Sequence, residues 1–214
     1  MAKGASGPRI QELLDLCRER GVSLRFEARD QLDRASNGAV HQGVVAYAAA
    51  QQYRDLEDIP AGARLVLILD GIEDPHNLGA IIRTANAAGA AGVVIPERRS
   101  AGLTETVAKA AAGALEYTPV FRAGNLNQAI EKLKEKGFWI YGLDERGEQS
   151  YDQVDWTEPA AIVLGAEGHG LHEHTRKRCD FLLRIPMAGA IASLNVSVAA
   201  GVVLFEWRRK SASQ

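Results

Sequence analysis

Three short segments carry polar residues at spacings that chemistry could use. The first is Asp70-Gly71-Ile72-Glu73-Asp74-Pro75-His76-Asn77-Leu78-Gly79, continued by Ala80-Ile81-Ile82-Arg83. Pro75 disfavours helix at the residue before it, and Asn77 is well placed to cap the helix that the pattern from Leu78 to Ala88 predicts. Gly79, in the first turn, would admit another backbone or a ligand at close range. Arg83 lies six residues beyond Asn77 and is expected in the second turn on the same face. A cap and a surface ion pair would account for these two residues about as well as a site would. The second segment is Leu164-Gly165-Ala166-Glu167-Gly168-His169-Gly170, where three glycines in six residues leave backbone amides and carbonyls open to a ligand. The third is Ile185-Pro186-Met187-Ala188-Gly189-Ala190-Ile191-Ala192-Ser193-Leu194-Asn195. Its small residues leave room for a flat, partly apolar ligand, and Ser193 and Asn195 offer directional hydrogen bonds. Taken alone, the third reads better as an ordinary cap before a core helix.

Two kinds of chemistry are disfavoured. A dinucleotide loop calls for GxGxxG opening a long helix, with an acidic residue about twenty positions later. The glycines here are spaced GxxGxG, the following stretch is short and charged, and Glu167 would sit poorly beside a pyrophosphate. His169, His172, Glu173 and His174 invite a metal reading. His172 and His174, two apart, would point to different helix faces, and no cysteine or second acid completes a ligand set, so no metal is expected.

Elements able to position these segments follow from the apolar pattern. Arg64–Leu69, Gly92–Ile95, Phe138–Leu143, Ala160–Leu164 and Phe181–Ile185 read as strands, with a weaker one near Tyr117–Phe121. Helices are expected over Leu78–Ala88, Thr104–Ala112, Leu126–Lys136 and Asn195–Arg208. Strands apolar on both faces, alternating with helices, specify an α/β fold: a parallel sheet covered on both sides, with ligands beyond the carboxyl ends of its strands. Before a boundary near Asp58–Gly62 the rhythm differs. A helix over Arg9–Arg20, a stop at Gly21, an alternating run Val22–Phe26 and a strand over Ala39–Ala48 predict a small α+β piece. The expected division is therefore residues 1–60 and 61–214.

Bulk properties narrow the class. A formal net charge of −2 argues against nonspecific coating of nucleic acid, although seven basic residues stand against three acidic ones from Leu171 to Gln214. No apolar run is long enough to span a membrane, and the first ten residues lack the apolar core of a secretory signal. Cys17 and Cys179 lie far apart without a CxxC partner, as expected of reduced thiols in a cytoplasmic protein.

Together the three segments resemble, in order and separation, the signature motifs of the SpoU (TrmH) branch of the SPOUT methyltransferases. The first matches NxGxxxR through Asn77, Gly79 and Arg83. The second matches LGxExxG through Leu164, Gly165, Glu167 and Gly170. The third matches IPMxGxxxSLNVSxA through Ile185, Pro186, Met187, Gly189, Ser193, Leu194, Asn195, Val196, Ser197 and Ala199. The resemblance implies S-adenosylmethionine-dependent methylation of an RNA ribose 2′-oxygen, a C-terminal trefoil knot, and a homodimer with a shared active site. It implies a cofactor site made of Leu143, Gly165, Ala166, Glu167, Gly168, Ile185, Met187, Ser193 and Leu194. Arg83, Asn77, Glu167, Ser193 and Asn195 become the catalytic set. Gly38–Ala46 resembles the end of the ribosomal-protein-like RNA-binding domain found in members that methylate guanosine in large-subunit rRNA. That domain normally has a further stretch before the point where this chain begins to align, so a shortened N-terminal region is expected. Structured rRNA is the expected partner. A tRNA 2′-O-methyltransferase and a non-catalytic, knotted RNA-binding protein are the alternatives.

By resemblance Arg83 assists removal of the hydroxyl proton. Guanidinium is essentially always protonated in proteins, so either Arg83 loses its proton transiently or it orients an RNA phosphate that accepts one.

Overall fold

The computed structural model describes residues 1–47, 51–157, 159–166 and 170–211. The chain forms two compact units, Met1–Ala50 and Gln51–Gln214.

In the first unit, helix α1 (Pro8–Glu19) starts on a proline, whose fixed φ suits a first helical position, and buries Cys17. A second helix, α2 (Arg29–Ala35), buries Leu32. The two strands expected here are absent among the described residues. From the run Val22–Phe26 onward, only Glu27 finds a ladder partner: its amide donates to the Met1 carbonyl, and its carbonyl accepts from Lys3. Val22 and Phe26 stay exposed, so the alternation has no sheet face to bury. In the Ala39–Ala48 segment, Gln42 and Gly43 take positive φ (46° and 86°), which breaks an extended run. His41 folds that segment back, its Nε2 2.8 Å from Asp33 Oδ1 and its Nδ1 accepting from the Gly43 amide.

The second unit is the expected α/β sandwich. In chain order it comprises β1 (Leu65–Asp70), α3 (Pro75–Ala88), β2 (Val93–Pro96), α4 (Glu105–Ala111), β3 (Val120–Ala123) and α5 (Leu126–Glu135). After these come β4 (Trp139–Leu143), β5 (Gln149–Ser150), β6 (Ala160–Gly165), α6 (Glu173–Arg176), β7 (Phe181–Arg184) and α7 (Val196–Ser211). The strands form one parallel sheet in the order β3-β2-β1-β6-β4-β7-β5. The short β5 extends the six strands expected from sequence to seven.

Both faces are covered, as the continuous apolar strands require. Leu65, Leu67 and Leu69 of β1 pack with Leu78, Ile81 and Ile82 of α3 and with Val203, Leu204 and Trp207 of α7. Val66 and Ile68 turn to the other face, against Leu126, Ile130 and Leu133 of α5.

Register sets up the functional edge. β6 lies between β1 and β4, with Asp70 opposite Gly165 and Leu143 opposite Leu164; β7 places Leu183 beside Leu143. The carboxyl ends of β1, β6, β4 and β7 therefore lie side by side, where parallel sheets bind ligands.

Gly79 serves packing rather than ligand approach. A Cβ there would fall 2.5 Å from Ala110 Cβ and 2.7 Å from the Val107 carbonyl oxygen, so α3 and α4 touch through their backbones. Alanine has about 1 kcal/mol better helix propensity than glycine, but overpacking costs about 1–3 kcal/mol. Gly79→Ala is expected to lower the urea midpoint; a raised midpoint would mean that the two helices have room to separate.

Candidate active site

Four connections leave the carboxyl ends of the central strands, and two of them begin with a buried aspartate. Asp144, directly after β4, has a fully buried side chain paired with Arg146, whose Nε and Nη2 donate at 2.6 and 2.7 Å. It also accepts from the backbone amides of Arg146 (3.0 Å) and Leu171 (3.3 Å). Burial alone would raise its pKa, but these donors, the Arg146 side chain foremost, hold the carboxyl below its ordinary value. Asp70, ending β1, accepts from the His172 amide at 3.0 Å through Oδ2, and Oδ1 lies 3.0 Å from His172 Nδ1. The two carboxylates thus grip consecutive residues, Leu171 and His172, of the segment that follows the glycine loop.

That loop closes tightly. A Cβ on Gly165 would lie 2.1 Å from the Gly170 carbonyl oxygen, so only glycine fits at the end of β6. Gly170, at φ 63°, donates its amide to the Ala166 carbonyl at 3.1 Å. Glu167 and Gly168, expected at the site from the motif, lie outside the described residues.

Two cavities open at this edge. The first, of about 240 Å³, is lined by Leu143, Asp144, Glu145, Leu164, Gly165, Ala166 and Gly170, then by Ile185, Met187, Ala192, Ser193, Leu194, Val196 and Ala199. All seven described residues of the expected cofactor set (Leu143, Gly165, Ala166, Ile185, Met187, Ser193 and Leu194) line it. The second, of about 510 Å³, is bounded by Gly71, Ile72, Glu73, Asp74, Asn77, Arg99 and His172, and it shares Ala166, Gly170 and Val196 with the first. The first cavity suits an adenosyl group: Leu143, Leu164, Ile185 and Leu194 offer apolar surface for a flat ring, and the Gly165–Ala166 backbone is approachable at one side.

The expected catalytic residues divide. Asn77 is buried and accepts from Asn195 Nδ2 at 3.0 Å, joining the first and third motifs directly. It does not cap α3. Asp74 does, accepting from the His76 amide, because Pro75 occupies the first helical position and moves the start upstream. Asn195 is the residue that caps α7, its Oδ1 accepting from the amides of Ser197 (2.9 Å) and Val198 (3.4 Å). Arg83 does not share Asn77's face. Six residues correspond to about 120° around a helix, and Arg83 is exposed where Asn77 is buried. Ser193 borders the first cavity.

Sequence reasoning missed Asp70, Asp144, Arg146 and Arg99 and took His172 only as a doubtful metal ligand. The signal was present for the aspartates, since each directly follows an apolar strand run, in RLVLILD and FWIYGLD. Cys179 offers no nucleophile: burial, with the nearby Asp180 charge, pushes its thiol up to about 12.

Residues 64–205 match the SpoU rRNA Methylase family, and residues 1–54 match the RNA 2′-O ribose methyltransferase substrate binding family. The chain belongs to the SpoU rRNA methylase family. It is an S-adenosylmethionine-dependent RNA methyltransferase. It is 44% identical to the 23S rRNA (guanosine-2′-O-)-methyltransferase RlmB of Pseudomonas syringae, covering 100% of this chain and 88% of that one. It is 47% identical to RlmB of Vibrio vulnificus, over 99% of this chain and 88% of that one. Among solved structures, it is similar to the SpoU methyltransferase AviRb from Streptomyces viridochromogenes in complex with AdoMet. The TM-score is 0.79 at 27% identity, over 100% of this chain and 82% of AviRb. An AdoMet-bound rRNA methyltransferase from Sinorhizobium meliloti gives a TM-score of 0.78 at 28% identity, over 94% of this chain and 77% of that one.

In this SpoU methylase the Asp144 clamp should govern acid stability. Its folded pKa lies below the ordinary 3.8, so its contribution is complete above the ordinary value and is lost as pH falls through the folded one. Asp144→Asn is expected to cost about 1.5–3 kcal/mol near neutral pH, the scale of hydrogen bonds to a charged group. In urea unfolding between pH 7 and pH 3, the variant should also lose part of the wild type's acid-side fall. An unchanged fall would assign it to other carboxylates.

Proposed function

We propose that the protein transfers the methyl group of S-adenosylmethionine to the ribose 2′-oxygen of a guanosine in large-subunit rRNA, acting as a cytoplasmic homodimer. The observation carrying this reading is the convergence of Leu143, Gly165, Ala166, Ile185, Met187, Ser193 and Leu194 on one cavity at the ends of three adjacent strands. Among the described residues, no helix is long and apolar enough to cross a membrane. Residues 1–60 serve as the RNA-docking part and 61–214 as the catalytic part; the family match over residues 1–54 supports this division. Insertion of β6 between β1 and β4, and of β7 between β4 and β5, supports a C-terminal trefoil knot.

Bound S-adenosylmethionine supplies an electrophilic methyl group on a positively charged sulfur. The chain's task is to hold the ribose oxygen in line with it and to manage the hydroxyl proton. Asn77 and Asn195 together fix the floor between the first turns of α3 and α7. Ser193 supports the cofactor side; Glu167 and Gly168, of the same motif set, lie outside the described residues. Arg83, a permanent cation exposed on α3, orients the RNA backbone. A second subunit would bring this surface to a shared site. The two apolar residues Val198 and Phe205, seven apart on one face of α7 and about half exposed, offer it a seat.

Calorimetric titration with S-adenosylmethionine and S-adenosylhomocysteine, with NADH as control, tests the cofactor assignment; a folded protein that binds neither would sink it. Arg83→Ala is expected to slow methylation of rRNA by about 100-fold or more while leaving cofactor affinity intact, and preference for bulk tRNA over rRNA would redirect the substrate. Phe205→Asp is expected to yield monomer in light scattering with methyl transfer lost. A monomer that retained full activity would show that the site is complete in one chain.

A further inference from the structure

The turn that follows β2 holds an arginine in a backbone conformation that favours glycine. Arg99 sits at φ 58°, in the left-handed region where a Cβ crowds the carbonyl. Both sides of the turn are tied down. The Glu97 amide donates to the Ala123 carbonyl at the end of β3 (2.9 Å), and the Ala101 amide donates to the Ile72 carbonyl after β1 (2.8 Å). Arg98, Arg99 and Ser100 span the gap between these two fixed points, which holds the strain in place. Tyr53 secures the next step of the chain. Its hydroxyl accepts from the Leu103 amide at 2.9 Å, and the Arg122 guanidinium lies over its ring, 4.8 Å from the centroid.

The strained turn delivers a cation to the second cavity. Arg99 is the only arginine or lysine among the described residues that line it. Its guanidinium makes no hydrogen bond or ion pair to any described residue, although the carboxylates of Glu73 and Asp74 border the same cavity. Asp74 is engaged instead in capping α3. A guanidinium presents its donors in a planar fork that fits two oxygens of one phosphate. Ala166, Gly170 and Val196 belong to both cavity walls, so a ribose in the second cavity faces the cofactor cavity across small side chains. When its 2′-oxygen meets a methyl group in the first cavity, the phosphates flanking that ribose fall within the second.

We propose, resting on the methyl-transfer reading above, that Arg99 grips a phosphate flanking the acceptor ribose and so sets the 2′-oxygen against the cofactor cavity. Glu73 and Asp74 repel a phosphate from the rest of this wall, so one cationic point fixes the register of the RNA strand. Arg99 is thereby a substrate-binding group with a task separate from that of Arg83, which lines neither cavity.

The test is single-turnover methylation of a 23S rRNA transcript by wild type, Arg99→Gln, Arg99→Lys, Arg99→Gly and Arg98→Gln, with RNA affinity measured across a salt series. At saturating RNA, R99Q should lose about 10- to 100-fold in rate, the scale of a hydrogen bond to a charged group, at unchanged S-adenosylmethionine affinity by calorimetry. Its slope of log affinity against log salt should fall by about 0.7–0.9, the signature of one lost phosphate contact. R99K keeps the charge and should retain the slope. R98Q removes the same charge from a neighbour outside the cavity and should leave the saturating rate unchanged. R99G should lose rate like R99Q yet unfold at a higher urea midpoint, because glycine accepts the left-handed turn without strain. A raised KM for RNA with the saturating rate intact would overturn the assignment and leave Arg99 a remote docking residue. An unchanged salt slope in R99Q, an equal loss of rate in R98Q or a lower urea midpoint in R99G would overturn it as well. A wild type that binds no S-adenosylmethionine, or binds it and leaves the transcript unmethylated, would instead overturn the underlying function, an outcome visible before any variant is compared.

Discussion

At the carboxyl end of β6 the chain runs into itself. Gly165 and Gly170 meet with no room for a side chain between them, since a Cβ on the first would sit 2.1 Å from the second's carbonyl oxygen. Because β6 lies between β1 and β4, this return crosses the ends of both neighbouring strands. Leu171 then meets Asp144 beyond β4, and His172 meets Asp70 at the end of β1. A single backbone contact therefore decides where both carboxylates meet the returning segment, and with it the wall between the two cavities. A side chain at Gly165 would have to push the returning segment outward, detaching the Leu171 and His172 amides together.

The two aspartates show what buried carboxylates contribute at such an edge. Desolvating a carboxylate is costly unless its oxygens are filled by hydrogen bonds and a counter-charge. Asp144 achieves this with Arg146 and two backbone amides, leaving no oxygen free for proton chemistry. Asp70 accepts one backbone amide, that of His172, and faces the ring of the same residue. The same residue type at equivalent strand ends thus yields a closed staple in one case and an anchor for the returning segment in the other. The difference lies in the partner, arginine against histidine, rather than in the acid.

Most of the sheet was legible because its strands are apolar on both faces, a pattern that helices and half-exposed strands do not produce. The N-terminal unit was read less well. The alternation of Val22–Phe26 is a genuine strand signal, but among the described residues its ladder partner is confined to the first three residues, and Gln42 and Gly43 turn the second candidate away. Within the site, three motifs located the glycine loop, the Ile185–Leu194 segment and the Asn77–Asn195 region. Asn77 was assigned the wrong task because Pro75 was weighed for the residue it constrains and not for the first helical position that it occupies. Asp70 and Asp144 stayed hidden for another reason. Asp70 meets His172 102 residues away, and Asp144, besides its neighbour Arg146, reaches Leu171 27 residues away; only the inserted position of β6 brings those segments together.

The Asn77–Asn195 pair carries the last constraint. One amide side chain starts α7 through its oxygen and reaches the first turn of α3 through its nitrogen, so the two helices are referenced to each other at the point where both face the cavities. Neighbouring Val196 is buried and belongs to both cavity walls. A ligand that moves the start of α7 from one side is therefore felt at the other, through a helix that packs along α3 to Trp207. In-line transfer gains from this arrangement, because donor and acceptor are held by a shared wall and their separation does not depend on loops moving independently. Replacing the amide at Asn195 by a side chain able to cap but unable to donate would leave α7 formed and the two cavities free to drift relative to each other.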